Sequence, residues 1–456
     1  MQEISTKLNE ALELIHEKKF SSLRALLSTM EPADLAELLS SLPSEQLPLM
    51  FRFLPKELAA DTFVEMDSEL QQQLISAFSD NELTSLIEDI YLDDAADIVD
   101  EMPANVAQRI LARASAATRA EINEILKYPK NSAGSIMTTE YVRLRPTMTV
   151  AEAFDIIRRT GIDKETVYTC YVTDDKRKLI GVVSALTLLT SEKTALIGDI
   201  MSTRVISVKT TDDKEFVAHQ LEKYDFLALP VVDSEDRIIG IVTVDDAVDV
   251  IIDEYSEDLS IMSAVTPTDK PYLKQSVMRI WIDRIPWLLL LMISATFTGI
   301  IIRSFENALA AQVALTAFIP MLMDTGGNSG SQASVSVIRG ISLRELEFSN
   351  LFQVMWKEFR VSILCGITLS ITAFIKIQLV DNLIMKNNIS LGVSATVCST
   401  LVLTVVFAKF IGSVLPLCAK KLGFDPAVMA SPLVTTILDA VVLLVYFMFA
   451  TVFLKI

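Results

Sequence analysis

The 456-residue chain is too long for one ordinary domain, and it combines 51% hydrophobic residues with 58 Asp/Glu against 40 Lys/Arg, a formal charge of −18. The charge is divided unevenly: residues 271–456 hold 14 Lys/Arg against 9 Asp/Glu, a balance of +5, which leaves −23 on residues 1–270. So large an acid excess argues against nucleic acid or anionic lipid as a partner of the first part, and points to a solvated or cation-collecting surface joined to a membrane half.

Few residues are suited to soft-metal or nucleophilic chemistry. Cys170, Cys365, Cys398 and Cys418 form no CxxC pair, so no disulfide framework is expected and a reducing compartment is. Only His16 and His219 could supply imidazole, too little for a dedicated zinc site. No Walker motif, His-rich site or nucleophile–base pair suggests an enzyme. The opening MQEISTKLNEALELIHEKKF lacks a basic stretch followed by an apolar core, so no cleaved signal peptide is expected.

Residues 1–130 read as an all-α, superhelical array with an acidic outer face. Segments such as PADLAELLSSLPSEQL, PKELAADTFVEM and NELTSLIEDIY each open on a polar or Pro residue, run for a turn or two of Leu/Ala, and break. From residue 131 the pattern changes to a duplicated α/β unit, 131–198 and 199–258. GSIMTTEYVRLRPTMTVAEAFDIIRR aligns with GDIMSTRVISVKTTDDKEFVAHQLEK, and KLIGVVSALTLL with RIIGIVTVDDAV, so that Met137 matches Met201 and Gly181 matches Gly240. The duplication resembles a tandem CBS pair.

Residues 259–284 read as a connecting helix, and 285–456 as a polytopic helical membrane domain of five spans. These are Ile285–Ile302, Asn307–Ile338, Val361 to about Val380, Asn387 to about Ala419, and Pro426–Leu454. Lys274, Arg279, Arg284, Arg339, Arg344, Lys357, Arg360, Lys420 and Lys421 cluster on one side of these spans. The positive-inside rule therefore places the N-terminus in the cytoplasm and the C-terminus outside.

Two membrane segments hold residues that lipid does not favour. FIPMLMDTGGNSGSQASVSVIRG sets Gly326, Gly327, Asn328 and Gly330 beside Asp324, a pattern that serves either close helix packing or a wet cavity. Asp439, in SPLVTTILDAVVLLVYF, is a carboxylate well inside a span, where it marks an ion path unless Lys409 or Lys376 neutralises it or it is a protonated acid bonding a neighbouring helix. A hard, reluctantly dehydrated ion such as Mg²⁺ suits one acid per subunit, hydroxyls and carbonyls, although this chemistry leaves Ca²⁺, Mn²⁺ and Co²⁺ open.

RIPWLLLLM, the GGNSGSQ run and DPAVMASPLVTTILD, with the domain order, resemble the MgtE family of magnesium channels over essentially the whole chain. The resemblance implies a bacterial inner-membrane homodimer whose pore lies between the second and fifth spans. Gly326, Gly327, Asn328, Gly330, Ser431 and Pro432 would line it, and Asp439 would gather hydrated Mg²⁺; the family often has an amide where this chain has Ser431. It also implies that Mg²⁺ regulates the channel. Asp93, Asp97, Asp213, Glu215 and Asp225 resemble the family's sensor acids, and Glu57 is a looser match. The run VDDAVDVIIDEYSEDL adds Asp246, Asp249, Glu254, Glu257 and Asp258, where like charges at i, i+3 and i, i+4 repel until a divalent ion bridges them. Some relatives hold ATP in the CBS clefts, but the first repeat has Thr187 where an acid commonly takes the ribose. A divalent exchanger coupled to Na⁺ or H⁺, and a membrane-anchored nucleotide sensor, are the competing readings.

Overall fold

Short helices fill the first 125 residues because each apolar stripe is cut by a capping or Pro residue before it can lengthen. The computed structural model describes residues 2–161, 164–268 and 272–454. Ten helices, α1 to α10, run from Gln2–His16 to Ala116–Ile125. Asp67 accepts from the Leu70 N–H at 3.1 Å, Ser79 and Glu82 form a reciprocal capping box, and Pro32 opens the helix Pro32–Ser40. Each such cap contributes about 1 kcal/mol and fixes where its helix starts. Helices two apart pack together: α3 (Pro32–Ser40) meets α5 (Lys56–Val64), α5 meets α7 (Asp80–Ile87), and α7 meets α9 (Ala104–Arg113). The result is a superhelix around Leu23, Leu27, Leu35, Leu38, Leu39 and Leu74, all fully buried.

Two three-stranded sheets of the same topology follow. In the first, β1 (Tyr141–Leu144) is parallel to β2 (Thr166–Thr173), which is antiparallel to β3 (Leu179–Ser184); α11 (Val150–Thr160) and α12 (Ala185–Thr190) flank it. After a short α13 (Ile197–Ile200), β4 (Val208–Lys209), β5 (Ala228–Val232) and β6 (Ile238–Thr243) repeat the arrangement. They carry α14 (Lys214–Tyr224) and α15 (Val244–Met262). The copies exchange their leading segments: Thr138 bridges to Ile241 in β6, and Ser202 to Val182 in β3. This exchange explains the matched Met and Gly positions. A Cβ on Gly181 would stand 2.5 Å from the Met201 sulfur, and one on Gly240 would stand 2.9 Å from the Met137 sulfur, so each methionine lies over the glycine of the other copy.

The chain forms two compact units, Met1–Ile252 and Asp253–Ile456. In the second, α16 (Val277–Ser304) merges the expected connecting helix and first span into one 28-residue helix, with Ser276 accepting from the Arg279 N–H. A short α17 (Glu306–Ala311) precedes α18 (Ile319–Ser342). Then come α19 (Leu351–Lys376), continued by a π-helical turn Ile377–Ile384, α20 (Leu391–Lys421) and α21 (Ser431–Leu454). Five spans are expected from the sequence; among the described residues four stretches are long and apolar enough to cross a membrane: Val277–Ser304, Phe348–Ile384, Leu391–Lys421 and Pro426–Leu454. The remaining helix, α18, has 24 residues and so about 36 Å of rise, but its Gly, Ser, Asn and Gln residues dilute its apolar content.

Candidate ion-conducting and ion-sensing sites

α18 packs into the angle between α20 and α21, and glycines make the approach close enough. A Cβ on Gly326 would meet Val442 at 2.7 Å and Thr404 at 2.9 Å; one on Gly327 would meet Thr435 at 3.0 Å; one on Gly330 would overlap Leu438. Gly326 and Gly330 therefore serve helix packing, the blander of the two expectations for this motif. The same helix turns its polar residues the other way. Asp324, Asn328 and Gln332, spaced four apart along one face, are all exposed in the single chain. Ser334 of α18 donates to the Met429 carbonyl just before α21 at 2.6 Å, and Tyr446 of α21 donates to the Leu315 carbonyl just before α18 at 2.9 Å.

Asp439 is the ninth residue of α21, about 12 Å along the helix, and is half-buried. Among the described residues it makes no hydrogen bond or ion pair. Both lysines that could have neutralised it are engaged elsewhere: Lys409 faces Glu358 of α19 at 3.5 Å, and Lys376 faces Asp381 of the π-helical turn at 2.9 Å. Asp439 is thus an uncompensated acid among apolar helices. Pro432 opens the same helix, half-buried; the side chains of Ser431 and Glu57 lie outside the described residues.

In the first unit, acids from three elements converge. Asp93 and Asp97 lie on α8 (Leu92–Glu101) and Asp246 in the first turn of α15, where it accepts from Thr243 Oγ1. Three neighbours that the sequence does not single out join them: Asp94, Asp245 and Glu165, the last just before β2. Burial, then Asp94, pushes Asp93 up to about 7; burial, then Asp246, does the same to Asp94. Burial, then Asp93, lifts Asp246 to about 7 and Glu165 to about 8. Asp97 is also lifted to about 7, by desolvation and then by Asp246, but as an exposed residue it is better screened by water than Asp93. Among the described residues no three His, Cys, Asp or Glu side chains are arranged to hold a metal as they stand. The cluster is a set of mutually repelling carboxyls, not a finished chelate.

The other expected sensor acids have local roles. Asp213 caps α14, accepting from the Glu215 N–H at 2.9 Å; Glu215 lies 3.7 Å from His219; Asp225 ends α14 in the left-handed region at φ 51°. Asp249, Glu254, Glu257 and Asp258 all ride on the one continuous helix α15. Asp258 accepts from Ser342 Oγ at 3.2 Å, which joins the last turn of α15 to the end of α18. The Asp-Asp doublets at 93–94 and 245–246 are a visible signal for Asp94 and Asp245; Glu165 has no such marker.

A multi-pass helical half with an uncompensated acid inside it, joined to a CBS pair and an acidic helical array, is the build of a membrane transporter. Family models agree with this division: "MgtE intracellular N domain" matches residues 30–131, "CBS domain" residues 133–192 and 197–253, and MgtE "Divalent cation transporter" residues 319–449. The chain is 35% identical to the magnesium transporter MgtE of Thermus thermophilus, covering 100% of this chain and 99% of that one. It is 32% identical to that of Bacillus subtilis, covering 97% and 96%. Its fold matches a crystal structure of the cytosolic domain of the Mg²⁺ channel MgtE in complex with ATP, with TM-score 0.51 and 36% identity over 53% of this chain and 99% of that one. It also matches the soluble part of a magnesium transporter, with TM-score 0.52 and 31% identity over 55% and 99%. The chain belongs to the MgtE family.

Proposed function

We propose that this chain is a homodimeric Mg²⁺ channel of five spans, with its first unit in the bacterial cytoplasm, and that Mg²⁺ binding to its acids closes it. The observation that carries the reading is the uncompensated Asp439. A carboxylate costs several kcal/mol inside lipid unless water or a cation reaches it, and neither lysine supplies that charge. The polar face of α18 supports a seam between two copies, since Asp324, Asn328 and Gln332 facing lipid would leave amides and an acid without partners. Counting α18 as a span follows from that placement. Two Asp439 carboxylates facing one hydrated ion fit Mg²⁺, which keeps several waters and takes one or two carboxylates. In the first unit the exposed apolar residues Leu186, Leu189, Val248 and Ile252 offer a second surface for the partner copy.

In the sensing step, Asp93, Asp97 and Asp246, with Asp213, Glu215 and Asp225 of the second repeat and Asp249, Glu254, Glu257 and Asp258 of α15, repel one another when Mg²⁺ is scarce. Cations that bind the compact arrangement shift the population towards it. The residues do not favour ATP as part of this step. In the first repeat the Thr187 hydroxyl is engaged with Ser184 at 2.8 Å, and in the second Asp246 lies among other acids that would repel a triphosphate.

Growth of a cell lacking its own Mg²⁺ uptake tests the reading. The wild-type chain restores growth in low Mg²⁺ and Asp439→Ala does not; equal rescue by both, at equal expression, would refute it.

A further inference from the structure

We infer that the first CBS repeat supplies a ligand of its own to the divalent-ion cluster: Glu165, seated beside Glu140, completes with Asp93 and Asp246 a site for a hydrated Mg²⁺ that ties three segments together. The inference rests on the sensing reading above and adds residues and a third segment to it.

Strand pairing brings three of these acids, Glu140, Glu165 and Asp246, towards one another. β1 and β2 run parallel with Tyr141 opposite Thr166, so Glu140 and Glu165 stand side by side at the leading ends of the two strands, and the Glu165 N–H donates to the Glu140 carbonyl at 2.9 Å. Just before Glu140, the exchanged leading segment pairs with β6: Thr138 and Ile241 share two backbone hydrogen bonds, at 2.8 and 2.9 Å. β6 ends at Thr243, the residue that holds Asp246. The exchange of segments between copies thus carries the first repeat's acids to the start of the second repeat's last helix. Asp93 and Asp246 are among the charges that raise the proton affinity of Glu165.

Two further observations point to a ligand rather than a solvated acidic face. Asp93 keeps only 6% of its surface exposed, and its Oδ1 is buried without a hydrogen-bond partner; Glu165 Oε2 is buried in the same condition. A buried carboxylate oxygen left unpaired is costly, and a hydrated cation relieves it. The acids also break the internal symmetry. Met137 matching Met201 puts Arg204 at the place of Glu140. Val172 opposite Gly181 and Val231 opposite Gly240 put Tyr224 at the place of Glu165. The duplicated copy therefore lacks both carboxylates. Because no three acids among the described residues chelate directly, the ion would be held largely through its own waters, as suits Mg²⁺.

The test is Mg²⁺-dependent thermal stabilisation of the full-length purified protein, titrated with MgCl₂, for wild type, Glu165→Gln, Glu165→Asp, Glu140→Gln and Asp93→Asn. Glu165→Gln is expected to raise the half-stabilising Mg²⁺ concentration roughly three- to tenfold, a change on the scale of one weakened charged ligand. At a pH above about 8, where the carboxylate is ionised, it should also raise the melting temperature in Mg²⁺-free buffer, because one repelling charge is gone. Glu165→Asp keeps the charge and is expected to lie near wild type, while Glu140→Gln moves in the same direction as Glu165→Gln. If Asp93→Asn shifts the titration and neither glutamine variant does, this inference is wrong and the sensing reading stands. If Asp93→Asn also titrates as wild type, the sensing reading falls with it.

Discussion

Lys409 has 6% of its surface exposed and sits deep in α20, with Glu358 of α19 as its counter-ion at 3.5 Å. An ion pair out of water adds little net stability as a pair, but removing one partner strands the other. Lys409→Met is therefore expected to destabilise the membrane half by about 3 kcal/mol, and Lys409→Met combined with Glu358→Gln to recover most of that loss. Denaturation midpoints in detergent measure both; a single variant as stable as wild type would show that the pair is not buried in the folded protein. The sequence displays Lys409 as an unexplained charge in a span because its partner lies on a neighbouring helix, and no local spacing connects them. Asp439 is legible for the opposite reason: a lone acid in an apolar run signals itself wherever its neighbours lie.

At the scale of elements, the glycines of α18 have two candidate uses in the sequence, and packing separates them. A Cβ on Gly412 of α20 would overlap the backbone carbonyl of Gly330, and backbone cannot rotate away as a side chain can, whereas Gly299 of α16 has nothing within 4 Å. Gly412→Ala is expected to cost about 1–3 kcal/mol or to block assembly of α18 on α20, while Gly299→Ala is neutral or slightly stabilising. Expression and thermal midpoints of the two variants check this; equal behaviour would mean that the helices do not approach so closely. The CBS repeat is legible in sequence because its Met and Gly positions recur, but the exchange of leading segments is not, since it depends on which copy each methionine covers. Glu165 is hidden for that reason: only the exchanged pairing brings it towards Asp246.

Across the first unit, the acids around Asp93 are expected to make stability depend on pH and, under the proposed sensing, on Mg²⁺. Burial raises Asp93, Asp94 and Asp246 to about 7 and Glu165 to about 8, well above ordinary carboxylates. Acids with raised folded-state values hold protons more tightly when folded. Their contribution is fully present below about pH 4 and is lost as pH rises through 7 to 8. Without Mg²⁺ the melting temperature is expected to fall between pH 6 and 8. Adding Mg²⁺ restores it more effectively at pH 8, where no protons compete, and Asp246→Asn flattens the dependence. A Mg²⁺-free melting temperature that rises over this range in wild type would contradict the assignment. The composition foretells an acidic half and a membrane half of slight positive charge, but not which acids meet.

We propose that Asp439 carries permeating Mg²⁺ at a seam between two copies. Currents from purified protein in a planar bilayer with Mg²⁺ as the only permeant cation test it most directly. Wild type is expected to give unitary Mg²⁺ currents that Mg²⁺ on the side of the first unit suppresses, and Asp439→Asn is expected to give none. Transport without unitary steps, or wild-type currents from Asp439→Asn, would contradict it.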